Sequence, residues 1–229
     1  MNTEPLVLSL QVATVATLLA TVLGVAIGAL LARRFPGRDV LDALLTAPMV
    51  LPPTVLGYYV LVALGRKSAI GRAYEALMHA VPPLGDALGH TIVFTTTGAT
   101  VAALIGALPL IVKSARASLE GVDPTLLAAA RTLGAGPART FFAVHLPLAS
   151  RGIVAGVMLG FARSLGDFGV TLMVAGDIPG ETQTASLAIY DAIQGRREAE
   201  ATGLIAILTA LAVGILYVVG KLAKPRDVA

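Results

Sequence analysis

Long uncharged stretches recur along the chain. Residues 6–32, 43–65, 87–112 and 201–220 contain no Asp, Glu, Lys or Arg. Each stretch is near or above the roughly 20 residues with which a helix crosses a hydrocarbon core about 30 Å thick. A fifth apolar run, 152–175, is interrupted by Arg163 and Asp167. The pattern predicts an all-α, polytopic membrane helix bundle, one transmembrane domain over residues 1–229 with five spans, or six as the alternative.

The composition agrees with a membrane protein. The chain is 56% hydrophobic and 14% charged, against roughly 45–50% and about 25% for a soluble domain. Cysteine is absent, which excludes a disulfide framework and a thiolate metal site. The first run has no basic segment before it and exceeds the 7–15 or so apolar residues of a signal peptide, so we expect it to be a retained span.

Basic residues favour one set of alternate loops. Eleven of the 17 Lys and Arg residues fall in the loops after the first, third and fifth predicted spans, and five fall in the other two loops. Because basic loops stay in the cytoplasm, the amino terminus is predicted outside and the carboxyl terminus in the cytoplasm. No run of Lys and Arg exceeds two residues, so we expect no nucleic-acid partner. The eleven are Arg33, Arg34, Arg38, Lys113, Arg116, Arg131, Arg139, Arg151, Lys221, Lys224 and Arg226.

Residues 113–151 form the longest predicted cytoplasmic loop. Asp123 can cap a short helix that begins at Pro124 and stops at Gly134. Pro137 can open a second short helix, and Pro147 is expected to end it before the next span. Such a hairpin suits a groove on a soluble partner. An amphipathic segment resting on lipid headgroups is the alternative.

One motif in this loop resembles a known family. The stretch AAARTLGAGPARTFFAVHLP is similar to the signature cytoplasmic loop of bacterial ABC importer permeases, in which Glu-Ala-Ala precedes a Gly and an Ile-x-Leu-Pro. Val144 replaces the Ile conservatively, whereas Ala128 replaces the usual Glu. The resemblance implies that this loop couples the chain to an ATPase. The implied coupling residues are Ala128, Ala129, Ala130, Gly134, Val144, Leu146 and Pro147.

Two further segments narrow the resemblance. LPPTVLGYYVLVALGRKSAIG and FARSLGDFGVTLMVAGDIPGETQTASLAIYDAIQ are similar to oxyanion importer permeases, most of all to molybdate permeases. The resemblance implies a type I ABC importer permease fold in the bacterial inner membrane. It also implies a homodimer, two cytoplasmic ATP-binding subunits and a periplasmic molybdate-binding protein. No cofactor is expected in this chain, because ATP and Mg would bind the ATPase subunits. Sulfate, tungstate or another oxyanion is the alternative substrate.

Charged and kinked positions inside spans are candidates for a translocation path. Arg163 and Asp167 are four residues apart, so they are expected to pair on one helix face. Pro52 and Pro53 predict a broken helix. The candidate path therefore comprises Pro52, Pro53, Thr96, Arg163, Ser164 and Asp167, with Thr95 and Thr97 as further donors. A structural ion pair, a packing kink and hydroxyls bonded to backbone are the alternatives.

Other functions find less support in the sequence. Neither H-E-x-x-H nor G-x-S-x-G is present, so we expect no enzyme activity in this chain. A phosphate-binding loop is also absent, so an ATP motor would be a separate chain. A secondary transporter usually shows related halves and several intramembrane acids, which this chain lacks. His79, His90 and His145 lack metal-ligand spacing and are interpreted as loop and interface residues.

The last predicted outer loop, 177–200, carries a turn at IPGE and a short apolar segment, ASLAIYDAI. The segment is too short to span a membrane, so we expect a half-buried or surface helix. Together with residues 66–72 it is expected to dock the binding protein. A packing element that touches no partner is the alternative.

Overall fold

The computed structural model describes residues 3–223, which form helices and connecting turns without a β-strand. Lys224 and Arg226, two of the predicted cytoplasmic basic residues, lie outside the described residues. A π-helical segment, Phe141–His145, joins two of the helices. In chain order the helices are α1 (Glu4–Leu31), α2 (Arg38–Val50), α3 (Pro53–Leu64), α4 (Ala69–Ala80), α5 (Pro82–Leu88), α6 (Thr96–Glu120), α7 (Pro124–Thr132), α8 (Pro137–Thr140), α9 (Leu146–Leu165), α10 (Gly169–Ala175), α11 (Ala185–Gln194) and α12 (Glu198–Ala223).

Four helices are long and apolar enough to cross a membrane: α1, α6, the continuous helix Pro137–Leu165, and α12. The pair α2 and α3 also qualifies by length and composition, but it is bent by 115° at its break. Counting the pair as one span, residues 3–223 provide the five predicted spans, without a sixth. The orientation across the membrane stays a prediction.

Three long helices, α1, α6 and α9, pack against one another at the centre of the bundle. Small residues form the contacts, and Ala13, Ala16, Ala20, Ala99 and Ala107 are fully buried. Small side chains allow the helix backbones to approach closely, so many van der Waals contacts form where no water is available to drive association. Alanine and glycine therefore form much of the contact between these three helices, together with a few large side chains such as Ile111 and Leu119.

Gly28 of α1 shows how close this approach is. A Cβ atom at this position would lie 2.8 Å from the Cβ of Ala115 and 3.0 Å from the backbone nitrogen of Arg116. Both atoms belong to α6, and the backbone nitrogen cannot move aside without moving the helix. Any larger residue at position 28 would therefore push α1 and α6 apart.

The third span begins and ends later than the hydrophobic run predicts. Residues 87–112 were expected to form it, but α6 covers Thr96–Glu120. Thr95 caps the helix by accepting a hydrogen bond from the Gly98 amide at 3.3 Å, which fixes the start. Lys113 and Arg116 lie in the last turns of this helix, where both side chains pair with Asp42 of α2. The first eight residues of the predicted loop 113–151 are thus the last two turns of α6.

Pro147 does not end a helix, contrary to the prediction. Residues 137–165 form one continuous helix, in which the π-helical segment precedes the proline. The Leu146 amide donates a hydrogen bond to the carbonyl of Phe141, five residues earlier. This wider turn accommodates the proline ring and its missing donor inside the helix.

The predicted surface helix of the 177–200 segment is present as α11. Leu187 and Ala192 of α11 are fully buried, whereas Ile193 is exposed. The amide of Ala185 donates a hydrogen bond of 2.7 Å to the hydroxyl of Ser9 on α1, and α11 also packs on α12. This helix is therefore a half-buried packing element of the bundle.

Candidate functional site

Asp167 lies in a break between two helices. The helix α9 ends at Leu165 and α10 begins at Gly169, so the predicted span 152–175 is interrupted. The Asp167 side chain is 2% exposed. Its Oδ1 accepts a 2.9 Å hydrogen bond from Arg163 Nη1, and its Oδ2 accepts from the Thr171 amide at 3.0 Å and the Thr171 hydroxyl at 2.7 Å. Asp167 therefore pairs with Arg163 and caps α10 at once.

The predicted pair exists, but not for the predicted reason. Arg163 and Asp167 were expected on one helix face, whereas Asp167 has already left α9. The carboxylate reaches back because the chain turns at Gly166 toward α10. Since the same carboxylate also serves the first turn of α10, the short helix and the arginine are held in one network.

Arg163 stays accessible despite this pairing. Its side chain is 37% exposed, in contrast to the buried Asp167. The guanidinium lies against α6, where a Cβ at Gly106 would be 3.5 Å from the Arg163 Cζ. The missing side chain at position 106 leaves room for the arginine beside α6. A positive charge is thus fixed in a polar break of an otherwise apolar helix bundle.

The break at Pro52 and Pro53 adjoins the break at Asp167. A Cβ at Gly169 would lie 2.6 Å from the Pro53 Cβ, and one at Gly57 would lie 2.8 Å from the Met173 Cβ. The start of α3 therefore packs on the start of α10. The first four amides of a helix lack an intrahelical partner, and the two prolines reduce that number to two in α3. The structure thus brings Pro53 and Asp167 into one region.

The predicted hydroxyl donors bond backbone carbonyls. Ser164 donates to Ala103 of α6 at 3.2 Å and is buried. Thr95 donates to Ile92 at 2.7 Å, Thr97 to Leu88 at 2.5 Å and Thr96 to Glu181 at 3.4 Å. Ten residues of α6 separate Thr96 from Gly106, a rise of about 15 Å. Ser164 therefore belongs to the region of Arg163, whereas Thr96 lies near the end of the bundle.

The predicted coupling hairpin has the expected caps. The carboxylate of Asp123 accepts a 2.8 Å hydrogen bond from the Thr125 amide, and this bond lowers the Asp123 pKa below its ordinary value. Pro124 is the first residue of α7, and Gly134 follows the helix with φ +85°, a conformation that other residues rarely adopt. The turn therefore depends on glycine at position 134.

The hairpin presents apolar side chains to its surroundings. No residue of α7 is buried, and Leu126, Leu133 and Phe142 are 48%, 88% and 67% exposed. Of the seven motif residues, Ala128, Ala129, Gly134 and Pro147 are exposed and Ala130, Val144 and Leu146 are half-buried. Leu146 packs on the cluster that includes Leu119 and Ile153. Leu146 therefore contributes to packing within the bundle, while Ala128 and Ala129 form part of the exposed surface.

A group of charged side chains joins α2 to α6, and the sequence reasoning missed it. Asp42 accepts hydrogen bonds from Lys113 Nζ at 2.7 and 2.8 Å and lies 3.1 Å from Arg116 Nη1. Glu120 accepts from Arg38 at 2.5 Å and from Arg116 at 3.1 Å. The spacings of 38 and 42 and of 113, 116 and 120 place each set on one helix face, and this signal could have revealed the group.

The three histidines take up different positions. His79 belongs to α4 and His145 to the π-helical segment, so only His90 lies in a loop. The rings of His79 and His90 stack with centroids 4.8 Å apart and an angle of 13°. His145 Nε2 lies 2.9 Å from the Leu119 carbonyl and ties the π-helical segment to α6. Within residues 3–223, no group of three His, Asp or Glu side chains is arranged to hold a metal ion.

Comparison with known proteins assigns the chain to a family. Residues 20–224 match the family described as the inner membrane component of binding-protein-dependent transport systems. The chain belongs to this family. It is therefore an inner-membrane component of a transport system that works with a binding protein, and its relatives are transport permeases.

Individual relatives show how specific this similarity is. The molybdenum transport system permease protein ModB of Escherichia coli K12 is 45% identical over 192 residues, covering 83% of this chain and 80% of the relative. ModB of Haemophilus influenzae is 41% identical over 208 residues, covering 89% and 86%. A probable sulfate transport system permease protein, cysT of Chlorokybus atmophyticus, is 30% identical over 212 residues, covering 92% and 70%.

Solved structures show the fold. A chain of the MetNI methionine ABC transporter in an inward-facing conformation has a TM-score of 0.67 at 17% identity, covering 96% of this chain and 95% of the other. A crystal structure of an amino acid ABC transporter with histidines gives a TM-score of 0.58 at 17% identity, covering 93% and 88%. The chain thus has the fold of an ABC importer permease subunit, as the signature loop predicted.

Proposed function

We propose that this chain is the permease subunit of an ATP-driven importer that carries molybdate across the inner membrane. The observation that carries the proposal is the 45% identity to a molybdenum permease over 83% of the chain. An accessible Arg163 in the last turn of α9, paired with Asp167 in the break that follows, supports an anionic substrate. Molybdate is a dianion, so a positive potential along the route would lower the barrier to its passage.

Sulfate is the second candidate substrate. A probable sulfate permease is 30% identical to the chain, which shows that the wider similarity includes another tetrahedral dianion. The molybdenum permeases from three bacteria reach 38–45%, so molybdate is preferred. Tungstate has the same charge and shape and would use the same groups.

The proposed assembly is a homodimer of this chain with two cytoplasmic ATP-binding subunits and a periplasmic molybdate-binding protein. The hairpin of α7 and α8, with Leu126, Leu133 and Phe142 exposed, would enter a groove on the ATP-binding subunit. ATP and Mg would bind that subunit, so this chain needs no cofactor. The tie between His145 and the Leu119 carbonyl would carry the movement of the hairpin to α6.

In the proposed path, Arg163 attracts the anion and Asp167 positions the guanidinium. Pro52 and Pro53 supply an irregular backbone beside the arginine, because α3 packs on α10 there. Ser164 fastens α9 to α6 and holds Arg163 in place. A route of this kind must bind its substrate weakly enough to release it. A single accessible arginine meets this condition, because the paired carboxylate partly offsets the attraction of its charge for an anion.

The direct test is uptake into proteoliposomes. The chain would be reconstituted with its ATP-binding subunit, and the binding protein would be added outside the vesicles. The labelled molybdate inside the vesicles would then be compared between samples with ATP and samples with a non-hydrolysable analogue. We expect uptake only with ATP and binding protein, and slower uptake of sulfate. Uptake that persists without ATP hydrolysis would refute the ATP-driven mechanism, and faster uptake of sulfate would reassign the substrate.

A further inference from the structure

A cavity of about 600 Å³ lies at the end of α3, away from Arg163 and from the coupling hairpin. The last turn of α3, the first turn of α4 and residues 91–94 enclose it. Its size is within the roughly 300–1,000 Å³ of small-molecule sites in proteins. Its side chains include Leu61, Val62, Leu64, Ile92, Val93 and Phe94.

Most of the wall of this cavity is apolar, and the two hydroxyls in it and beside it already have partners. The Thr91 hydroxyl donates to the Val93 carbonyl at 3.2 Å, and the Ser68 hydroxyl beside it accepts from the Gly71 amide at 2.8 Å. In the apolar interior, away from the basic rim, a bare dianion would lose its hydration without gaining hydrogen bonds, which is unfavourable. The interior therefore suits a hydrocarbon chain and not the transported oxyanion.

The rim of the cavity is basic. Arg66 and Lys67 line it, together with a single acid, Glu75. Arg66 Nε lies 3.7 Å from the Glu75 Oε1, too far for a hydrogen bond, and its side chain is 72% exposed. Arg72 lies next to the rim and donates to the Lys67 carbonyl at 3.2 Å. Three cations and one carboxylate leave a net positive charge at the mouth.

We propose that this cavity binds a phospholipid with an anionic headgroup. One acyl chain would lie along Leu61, Val62 and Phe94, and the phosphate would contact Arg66 and Lys67. Val62 and Phe94 are 55% and 57% exposed, so the apolar interior is open to a chain that enters from the bilayer. The site is independent of which oxyanion is transported, because it shares no residue with the region of Arg163.

The experiment is native mass spectrometry of the detergent-purified chain with its ATP-binding subunit. Phosphatidylglycerol and phosphatidylcholine with identical acyl chains would be added in equal amounts. We expect preferential retention of phosphatidylglycerol. Each positive charge removed should lower that preference by about fivefold, first in Lys67→Gln and then in the double variant Arg66→Gln/Lys67→Gln. The matched control is Arg196→Gln, which removes one positive charge on the same predicted side without touching the cavity and should keep the preference.

A second variant tests the hydrophobic part. Val62→Trp fills the cavity from its wall and should reduce retention of both lipids, while the elution profile and thermal midpoint report intact folding. Equal retention of the two lipids by the wild type would overturn the proposal. So would a preference that survives the double substitution, a loss that Arg196→Gln reproduces, or displacement of bound phosphatidylglycerol by molybdate.

Discussion

The network around Asp167 predicts unequal effects of removing its two charged members. Asp167→Ala removes the bond to Arg163 and both bonds to Thr171, and it leaves the first turn of α10 without a cap. Bonds to charged groups contribute about 1.5–3 kcal/mol each and a cap about 0.5–2 kcal/mol. These effects overlap, and the Arg163 side chain that is left behind is 37% exposed, so we expect a loss of about 3–5 kcal/mol, below the simple sum of the bonds and the cap.

Arg163→Gln should cost less. Asp167 keeps both bonds to Thr171 in this variant, and the arginine is the partly exposed member at 37%. We expect a loss of about 1.5–3 kcal/mol, the value of one bond to a charged group. Stability would be measured as the denaturant midpoint of the purified chain with its ATP-binding subunit, and uptake of molybdate would be measured in parallel.

The two readouts separate a structural role from a role in transport. Arg163→Gln should lower the rate of uptake strongly although its stability loss is the smaller of the two, because it removes the positive charge beside the break. Arg163→Lys keeps a charge with a different geometry and should recover part of the rate. If Arg163→Gln destabilises the chain as much as Asp167→Ala, the assignment of the network is wrong. If uptake keeps its rate while the complex loses stability, Arg163 has no part in the path.

Three further predictions concern the predicted cytoplasmic side. Gly134→Ala should reduce co-isolation of the ATP-binding subunit, because φ at this position is +85°. The control is Gly136→Ala, which should leave co-isolation unchanged because φ there is −65° and nothing lies within 4 Å of the Cβ position. Equal losses in the two variants would contradict the reasoning. Asp42→Asn should weaken the link of α2 to α6 and lower stability by about 1–3 kcal/mol as measured by denaturant midpoint, since Lys113 and Arg116 lose an ionised partner; Asp39→Asn, one turn away, is the control. The pKa of Asp123 is lowered, so its stabilising effect is present above the ordinary aspartate pKa of about 3.9 and is lost as the pH falls through the pKa of the folded state. The thermal midpoints of the wild type and Asp123→Ala should therefore differ at pH 7 and converge in acid. A difference in midpoint that does not narrow in acid would refute the cap.

Local patterns were sufficient for the elements that a few neighbouring residues define. Four uncharged runs and the interrupted run 152–175 indicated the number of spans, and Asp123, Pro124 and Gly134 located the hairpin, because helix length and capping depend on residues adjacent in the chain. The seven motif residues could be recognised in the sequence for the same reason, since the motif is a pattern of nearby positions. Their division into exposed alanines and a half-buried Leu146 could not be predicted, since it depends on which helix lies opposite.

The sequence by itself determined that the chain is a membrane helix bundle with two opposite charges in one apolar run and a helical hairpin before that run. Only the tertiary structure decided that α9 stops at Leu165, that Asp167 serves both Arg163 and α10, and that the break at Pro53 adjoins it. It also joined Asp42 to Lys113, 71 positions apart. The physical reason is that hydrophobicity and capping are properties of adjacent residues, whereas these contacts arise from the closeness with which small-residue helix faces pack.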